Sequence, residues 1–497
     1  MNRFSRYILA VTLCLFGFTQ LQAEGYHIKV RISTLPNDTI YLAYHFGDKQ
    51  YMQDTTVLDS GGNGAFKGDE ELIGGFYLVV LPSKNYFEII VNEQDFFVEN
   101  DTANFQQHFK SSGTVENEIF YNDIRFLGAK HQEKNTLKAA LKAAEKDKAQ
   151  TKVTELKDQI SQLDEEVRKH RESVKNDNPE LFYSKFLKSL DEPVIPESPK
   201  DENGKQIDSL FGYKFYKSHY FDNIDLQDER MLRTPTLHNA VMRYIEKVVM
   251  QVPDSLSAGC DVILEGCGKN EDTFKYWLIS LLNKYAKSKI MGMDAVYVHL
   301  VEKYYDTGRA KWTSDDDVYR ISDRAKRLKP TLIGKKAPNM HLQTPDKKPV
   351  SLHGIDAKYT LVFIYAPDCG HCKKETPKIL KTYEKIVDTM GIDLKIFAVP
   401  TMHLHKGDYD DNKRPIYSDD PKDVNEWPDF IKEFKIGRWI NAADLYLHDH
   451  FRELYDVEST PKIYLLDKDK IIRAKRINSE LLLQIIEDFE KKSTFNK

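Results

Sequence analysis

Between about Tyr26 and Glu99, short runs of alternating apolar and polar residues are separated by Gly, Pro, Asn and Asp. An alternation with a period of two predicts β-strands, and the intervening residues favour turns. The predicted strands cover residues 27–32, 39–44, 76–81, 87–91 and 96–98. Short strands at this spacing indicate a small antiparallel β-sandwich over residues 24–112. No catalytic constellation is recognisable there, so we expect a binding or spacer module.

From about Val115 the apolar positions follow a helical period. The segment 130–174 is rich in Lys, Glu, Gln, Ala and Leu, and this pattern is typical of a charged helical hairpin or a short coiled coil. Its apolar residues recur at spacings near three, four and seven: Leu137, Leu141, Val153, Leu156, Ile160 and Leu163. We assign this element to residues 113–190, and the proline-rich stretch 193–199 predicts an exposed linker after it.

A second helical block is predicted over residues 205–330, where several apolar stripes recur with a helical period. Cys260 and Cys267 fall within this block. On one straight helix they would lie two turns, about 10 Å, apart, which exceeds the reach of a disulfide. We therefore expect buried free thiols, whereas a helix broken at Gly259 or Gly266 would allow a disulfide.

The last segment, residues 332–497, predicts a mixed α/β domain. Its apolar runs lie at 361–365, 393–399, 463–467 and 471–474, followed by an amphipathic stretch at 481–489. The first two runs are typical of buried parallel strands with a helix between them, and the next two indicate a hairpin. The predicted order is strand, helix, strand, helix, strand, strand, helix. The fold class is thus multidomain: a β-sandwich, a central all-α region and a C-terminal α/β domain.

Composition narrows the classes of function. A chain of 497 residues is too long for a single core, so several domains are expected. The net charge of −5 gives no support to nucleic-acid binding. Five cysteines are too few for a disulfide scaffold of this length. A pair of them at close spacing is therefore expected to be functional.

The N-terminus predicts export. Arg3 and Arg6 precede an apolar stretch at residues 7–18, and Ala23 offers a small residue for cleavage. This pattern is typical of a secretory signal over residues 1–23 and is too short to predict a membrane span. We expect a mature chain in the periplasm, without a stable membrane span. A lipid anchor at Cys14 is disfavoured by the bulky Leu13 before it.

Cys369-Gly370-His371-Cys372 is the most informative motif of the chain. It follows a predicted strand and opens a predicted helix, whose N-terminus stabilises a thiolate. The spacing allows the second sulfur to attack a mixed disulfide made by the first. Zinc sites use the same spacing, but a second cysteine pair of that kind is missing. The motif therefore predicts redox chemistry, with no metal and no cofactor.

The C-terminal domain resembles the thioredoxin fold, and more narrowly the TlpA/ResA-like thiol–disulfide oxidoreductases of bacterial envelopes. The residues that carry the resemblance are Ala337-Pro338, the run from Tyr365 to Pro377 around the two cysteines, and the run from Ser459 to Tyr464. The two upstream regions resemble uncharacterised modules that precede such domains in Gram-negative envelope proteins. The resemblance implies protein thiols and disulfides as substrates, and a membrane or periplasmic redox partner.

The resemblance also implies roles for individual residues. Cys369 would be the attacking nucleophile and Cys372 the resolving thiol. Pro461 would follow a cis peptide bond, and Thr460 before it would offer backbone hydrogen bonds to an extended substrate. Glu375 would lie buried near the cysteines with a raised pKa and exchange protons with Cys372.

Two features depart from classical thioredoxins. Phe363 stands six residues before Cys369, where those proteins carry a buried Asp. The dipeptide Gly370-His371 matches that of the protein disulfide isomerases, and a histidine beside the thiolate makes the disulfide more oxidising. Both the reductase and the isomerase direction therefore stay open.

The sequence offers two alternative functions. Met402-His403-Leu404-His405 and His448-Asp449-His450 could in principle bind copper, zinc or haem iron, so the domain would be a scaffold or a metal chaperone. We expect instead solvated loops with incidental histidines. A thiol peroxidase is disfavoured because its Pro-x-x-x-Thr-x-x-Cys setting is missing.

Overall fold

The computed structural model describes residues 25–401 and 426–495, which divide into two compact units. The first unit comprises residues 25–249 and 262–276, and the second comprises residues 250–261 and 277–495 without the gap. None of the helices in these ranges is long and apolar enough to cross a membrane. The predicted signal sequence at residues 1–23 lies outside the described residues.

The first unit begins with two β-sheets, as the alternating pattern predicts. The strands are β1 (His27–Ile32), β2 (Thr39–Phe46), β3 (Lys49–Val57), β4 (Asn63–Lys67), β5 (Gly75–Val80), β6 (Tyr86–Val91), β7 (Asp95–Asn100) and β8 (Lys110–Ser112). One sheet has the order β4-β1-β7-β8 and the other β3-β2-β5-β6. Strands β1 and β7 pair in parallel, with His27 opposite Asp95. The first sheet is therefore mixed, whereas the sequence predicted a purely antiparallel sandwich.

The charged segment after the sheets forms a hairpin of two long helices. The helices are α1 (Phe105–His108), α2 (Val115–Lys146), α3 (Gln150–Asp177) and α4 (Phe182–Ser189). Ala144, Val153 and Leu156 are buried together at the turn between α2 and α3, and Leu137 and Leu141 pack against them. Leu137, Leu141, Val153 and Leu156 are among the apolar positions that the helical period predicted.

Shorter helices follow, and several of them end in π-helical or 3-10 turns. They are α5 (Phe211–Ser218), the turn Glu229–Arg233, α6 (Leu237–Arg243) with Tyr244–Val248, α7 (Pro253–Gly266), α8 (Glu271–Ala286), α9 (Asp294–Leu300) with Val301–Tyr305, and α10 (Asp315–Leu328) with Lys329–Thr331.

Cys260 lies inside α7 and Cys267 directly after it, and both are buried free thiols. Burial raises the pKa of Cys260 to about 12 and that of Cys267 to about 11, so both thiols are poor nucleophiles.

The C-terminal part of the second unit is a central sheet with helices. Its elements are β9 (His341–Gln343), β10 (Pro349–Ser351) with the turn Leu352–Gly354, β11 (Tyr359–Tyr365), α11 (Gly370–Glu384) with Lys385–Thr389, β12 (Leu394–Pro400), α12 (Glu426–Glu433), β13 (Ile440–Asn441), α13 (Phe451–Leu454), β14 (Lys462–Asp467), β15 (Ile472–Lys475) and α14 (Ser479–Phe495). The sheet order is β13-β12-β11-β14-β15. Strand β11 is buried along its whole length, parallel to β12 and antiparallel to β14. This arrangement confirms the predicted thioredoxin-like fold.

A buried ion pair ties the helices of the second unit to its sheet. The carboxylate of Asp294, at the start of α9, pairs with the ammonium of Lys475 on β15. Lys475 Nζ also donates to the carbonyl oxygen of Thr331 at 2.8 Å. The two side chains are 7% and 3% exposed. Burial lowers the pKa of Lys475, and the charge of Asp294 opposes that shift.

Candidate active site

The two cysteines of the motif lie at the junction between the end of β11 and the start of α11. Cys369 occupies the N-cap position of α11, and its carbonyl oxygen accepts the N–H of Lys373 at 3.0 Å. Cys372 lies in the first turn and is fully buried, whereas Cys369 is partly exposed. Because the first amides of a helix have no partner within it, they are available to the sulfur of Cys369.

Opposite pKa shifts separate the two thiols. Burial works to raise the pKa of Cys369, but hydrogen bonds from the Thr460 side chain, from Cys372 and from the backbone N–H of His371 lower it below its usual value. Burial raises the pKa of Cys372 to about 12, and the nearby Cys369 adds to that rise. The exposed sulfur is thus the better thiolate and the buried sulfur holds its proton.

The loop before β14 lies against the nucleophile. The peptide bond between Thr460 and Pro461 is cis, as the resemblance implied. The thiol of Cys369 donates to the carbonyl oxygen of Thr460, with a sulfur–oxygen distance of 3.5 Å. Thr460 therefore reaches Cys369 through its backbone, and the structure brings both predicted substrate-contacting residues to the cysteine pair.

Aromatic side chains fill the space behind the cysteines. Phe363 is fully buried and stacks on Tyr365 with ring centroids 5.2 Å apart. Tyr365 in turn stacks on Phe430 of α12 at 4.6 Å, and Trp427 lies in the same buried cluster as Cys372. Burial is the main reason that the pKa of Tyr365 is raised. The α12 aromatics were missed by sequence reasoning, although the amphipathic run 426–434 could have indicated them.

The carboxylate of Glu375 caps another helix. Its Oε1 accepts the backbone N–H of Ser479, the first residue of α14, at 2.9 Å. Its Oε2 lies 3.7 Å from Nζ of Lys378. The side chain is largely buried, with 17% exposed. This contact gives Glu375 a structural partner that the sequence did not reveal, and proton exchange with Cys372 stays a prediction.

The dipeptide between the cysteines faces solvent. Gly370 and His371 are both exposed. A Cβ atom at Gly370 would meet no heavy atom within 4 Å, so a larger side chain would cause no steric clash at this position. An influence of this dipeptide on the reduction potential remains a prediction.

Of the two histidine elements that could bind a metal, only His448-Asp449-His450 lies within the described residues. His403 and His405 fall outside the described residues. The loop around His448 and Asp449 is held by backbone N–H groups that donate to the carboxylate of Asp444 at 2.9 and 3.0 Å. Within residues 25–401 and 426–495, His, Cys, Asp and Glu side chains form no group of three or more that could hold a metal ion.

The opposite pKa shifts predict selective alkylation. In the reduced protein, iodoacetamide should label Cys369 with a half-maximal rate at a lower pH than it labels an unperturbed cysteine, because the pKa of Cys369 is lowered and its thiolate forms at lower pH. Cys372 should stay unlabelled at about pH 8, since its pKa of about 12 keeps it protonated there. Peptide mapping by mass spectrometry measures both rates, and equal labelling would contradict this site.

Family models match three consecutive segments of the chain. Residues 333–475 match the AhpC/TSA family. Residues 26–120 and 142–328 match two domains of unknown function, DUF4369 and DUF5106. A search of curated proteins found no match to this chain.

Several solved structures are similar to parts of the chain. A domain of a possible thiol-disulfide isomerase from Cytophaga hutchinsonii is 33% identical, with 33% of this chain and 98% of that chain covered and a TM-score of 0.27. A thiol:disulfide interchange protein from Bacteroides sp. is 26% identical over 32% and 91%, with a TM-score of 0.25. A thioredoxin-like protein from Bacteroides caccae is 18% identical over 59% and 98%, with a TM-score of 0.43.

The family match over residues 333–475 agrees with the sheet order and the cysteine motif described above. Residues 333–475 of this chain match the AhpC/TSA family and fold as a thioredoxin-like domain.

Proposed function

We propose that this protein exchanges disulfides with protein substrates in the periplasm through Cys369 and Cys372. The single observation that carries the proposal is the placement of the two thiols at the start of α11, where Cys369 is partly exposed at the N-cap and Cys372 is buried in the first turn. A thiolate-forming, partly exposed cysteine followed by a buried protonated one is what a nucleophile and a resolving thiol require. The predicted signal sequence supports the compartment.

The exchange runs in two steps. The Cys369 thiolate attacks one sulfur of a substrate disulfide, so a mixed disulfide forms and the other substrate sulfur leaves as a thiolate. Cys372 then gives up its proton and attacks the sulfur of Cys369, which releases the second substrate thiol. The substrate disulfide is reduced and the Cys369–Cys372 pair is oxidised. The same steps in reverse oxidise a substrate dithiol.

The site can also hold an extended substrate. The Thr460–Pro461 loop lies beside Cys369, and Thr460 already contacts the sulfur through its carbonyl oxygen. A substrate segment that ran along this loop would bring its own sulfur to the nucleophile. Glu375 is largely buried and follows Cys372 by one turn on the same helix, and we propose it as the proton acceptor for Cys372.

Trapping of the mixed disulfide tests the proposal. Cys372→Ser should accumulate disulfide-linked complexes with substrate proteins in the periplasm, because the resolving thiol is absent. The double variant that also carries Cys369→Ser should form none. Non-reducing gels followed by mass spectrometry detect the complexes.

The matched control is Cys260→Ala in the Cys372→Ser background. Cys260 is buried and its pKa is raised to about 12, so its loss should leave the complexes unchanged. A folded Cys372→Ser protein that traps no partner, or that traps partners through Cys260, would contradict the proposed exchange.

A further inference from the structure

Helix α10 reaches the loop that carries Thr460 and Pro461, and both lie in the second unit. Arg327 stands in the last turn of α10, and its Nη1 lies 2.9 Å from Oε1 of Glu458, two residues before Thr460. The same Nη1 lies 3.9 Å from Oδ1 of Asp456. Arg327 Nε lies 3.3 Å from Oδ2 of Asp323, one turn earlier on its own helix.

The loop is held at both of its ends by the same carboxylate. Asp456 has the left-handed backbone conformation, with φ of 47°, and starts the loop. Its Oδ2 lies 3.5 Å from Nζ of Lys462, the first residue of β14 and the residue after Pro461. Asp456 and Lys462 are 12% and 15% exposed. The largely buried Asp456 carboxylate thus joins the two ends of the loop, and Arg327 contacts it from outside.

We propose that Arg327 is a positioning residue that fixes the Thr460–Pro461 loop against Cys369. Helix α10 is the last helix of the segment that matches the domain of unknown function DUF5106, residues 142–328. Under the proposal, α10 is part of the active-site scaffold rather than of a separate module. The inference rests on the proposed function, since it concerns the same cysteine. In this role, α10 positions the loop surface along which an extended substrate would lie.

The solvent exposure of the Arg327–Glu458 pair distinguishes a positioning role from a stabilising one. Arg327 and Glu458 are 36% and 64% exposed, and ion pairs this open to solvent contribute little to folding. Under the proposal, the pair acts by setting where Thr460, two residues after Glu458, stands relative to the sulfur of Cys369. A displacement of about 1 Å at a reacting centre can lower a rate by about 100-fold. The loss of Arg327 should therefore change reactivity more than stability.

The test compares two arginines of the same helix in the full chain. Arg327→Ala should raise the pH at which Cys369 alkylation is half-maximal and lower the rate of exchange with a peptide disulfide about tenfold. Arg327→Lys should restore both, because it keeps a cation within reach of the carboxylates. Arg320→Ala is the control: Arg320 is 75% exposed and pairs with Asp317 on its own helix, so it should change neither quantity.

A second variant, Glu458→Gln, weakens the pair with Arg327 from the other side and should lower the same exchange rate. Alkylation needs no protein substrate, so the shift in Arg327→Ala is measurable even if Cys372→Ser traps no partner, and the two proposals fail independently. A lower melting temperature in Arg327→Ala with an unchanged midpoint and exchange rate would show a merely structural role and overturn the inference. An equal effect of Arg320→Ala would overturn it as well.

Discussion

Replacement of Cys369 by serine should lower disulfide-exchange activity by at least about 1000-fold, the scale expected when a covalent nucleophile is removed. Cys369 combines partial exposure with a lowered pKa at the start of α11, and a serine hydroxyl forms no comparable thiolate. The remaining Cys372 cannot substitute, because it is buried and its pKa is raised to about 12. Reduction of a peptide disulfide, with the enzyme regenerated by a chemical reductant, measures the loss.

Cys267→Ala is the matched control for this assay. Cys267 is another buried thiol with a raised pKa, and it lies outside the α/β domain. The variant should keep the activity of the parent protein. If Cys369→Ser retained more than about a tenth of the activity while folded, a different nucleophile would have to carry the exchange.

The largest expected effect on stability comes from Asp294→Asn. The substitution leaves the ammonium of Lys475 buried at the edge of the sheet, with the carbonyl oxygen of Thr331 as its other hydrogen-bond partner. Breaking one side of a buried pair costs about 3–5 kcal/mol of the free energy of unfolding. Urea unfolding, followed by hydrogen exchange at the amides of β15, locates the loss in this unit.

Two further variants separate burial from charge in this experiment. Asp294→Asn combined with Lys475→Met should recover most of the lost stability, because apolar replacement of a whole buried pair is often nearly neutral. Glu302→Gln breaks the half-exposed pair with Lys329 in the same helical region and should cost less than about 1 kcal/mol. Equal costs for Asp294→Asn and Glu302→Gln would contradict the reading of Lys475 as a buried charge.

The sequence predicted the elements whose apolar residues follow a clear period. Strands β1, β2, β5, β6 and β11 were found because their buried positions alternate or run without interruption. Strand β3 was missed, since all but two of its residues from Lys49 to Val57 are exposed and no alternation marks it. Its hydrogen bonds to β2 hold it in the sheet, and backbone pairing leaves no trace in the pattern of side chains.

At the site, the sequence named the residues but not most of their contacts. Cys369, Cys372 and the Thr460–Pro461 loop were found from local motifs and their resemblance to a family. The partner of Lys475 lies 181 residues earlier in the chain, and the partner of Glu375 lies 104 residues later. Arg327 likewise gave no signal, because a basic residue near the end of a helix is common on any surface. Such pairs depend on the tertiary fold.

The cap that Glu375 provides to α14 would link the proposed proton transfer to the C-terminal helix. A protonated carboxyl accepts a hydrogen bond more weakly than a carboxylate, since charge-assisted bonds are about twice as strong as neutral ones. Any proton that Glu375 takes up therefore weakens its bond to the N–H of Ser479. Each catalytic cycle that used this carboxylate would loosen and then tighten the first turn of α14, so the amide of Ser479 becomes a reporter of turnover.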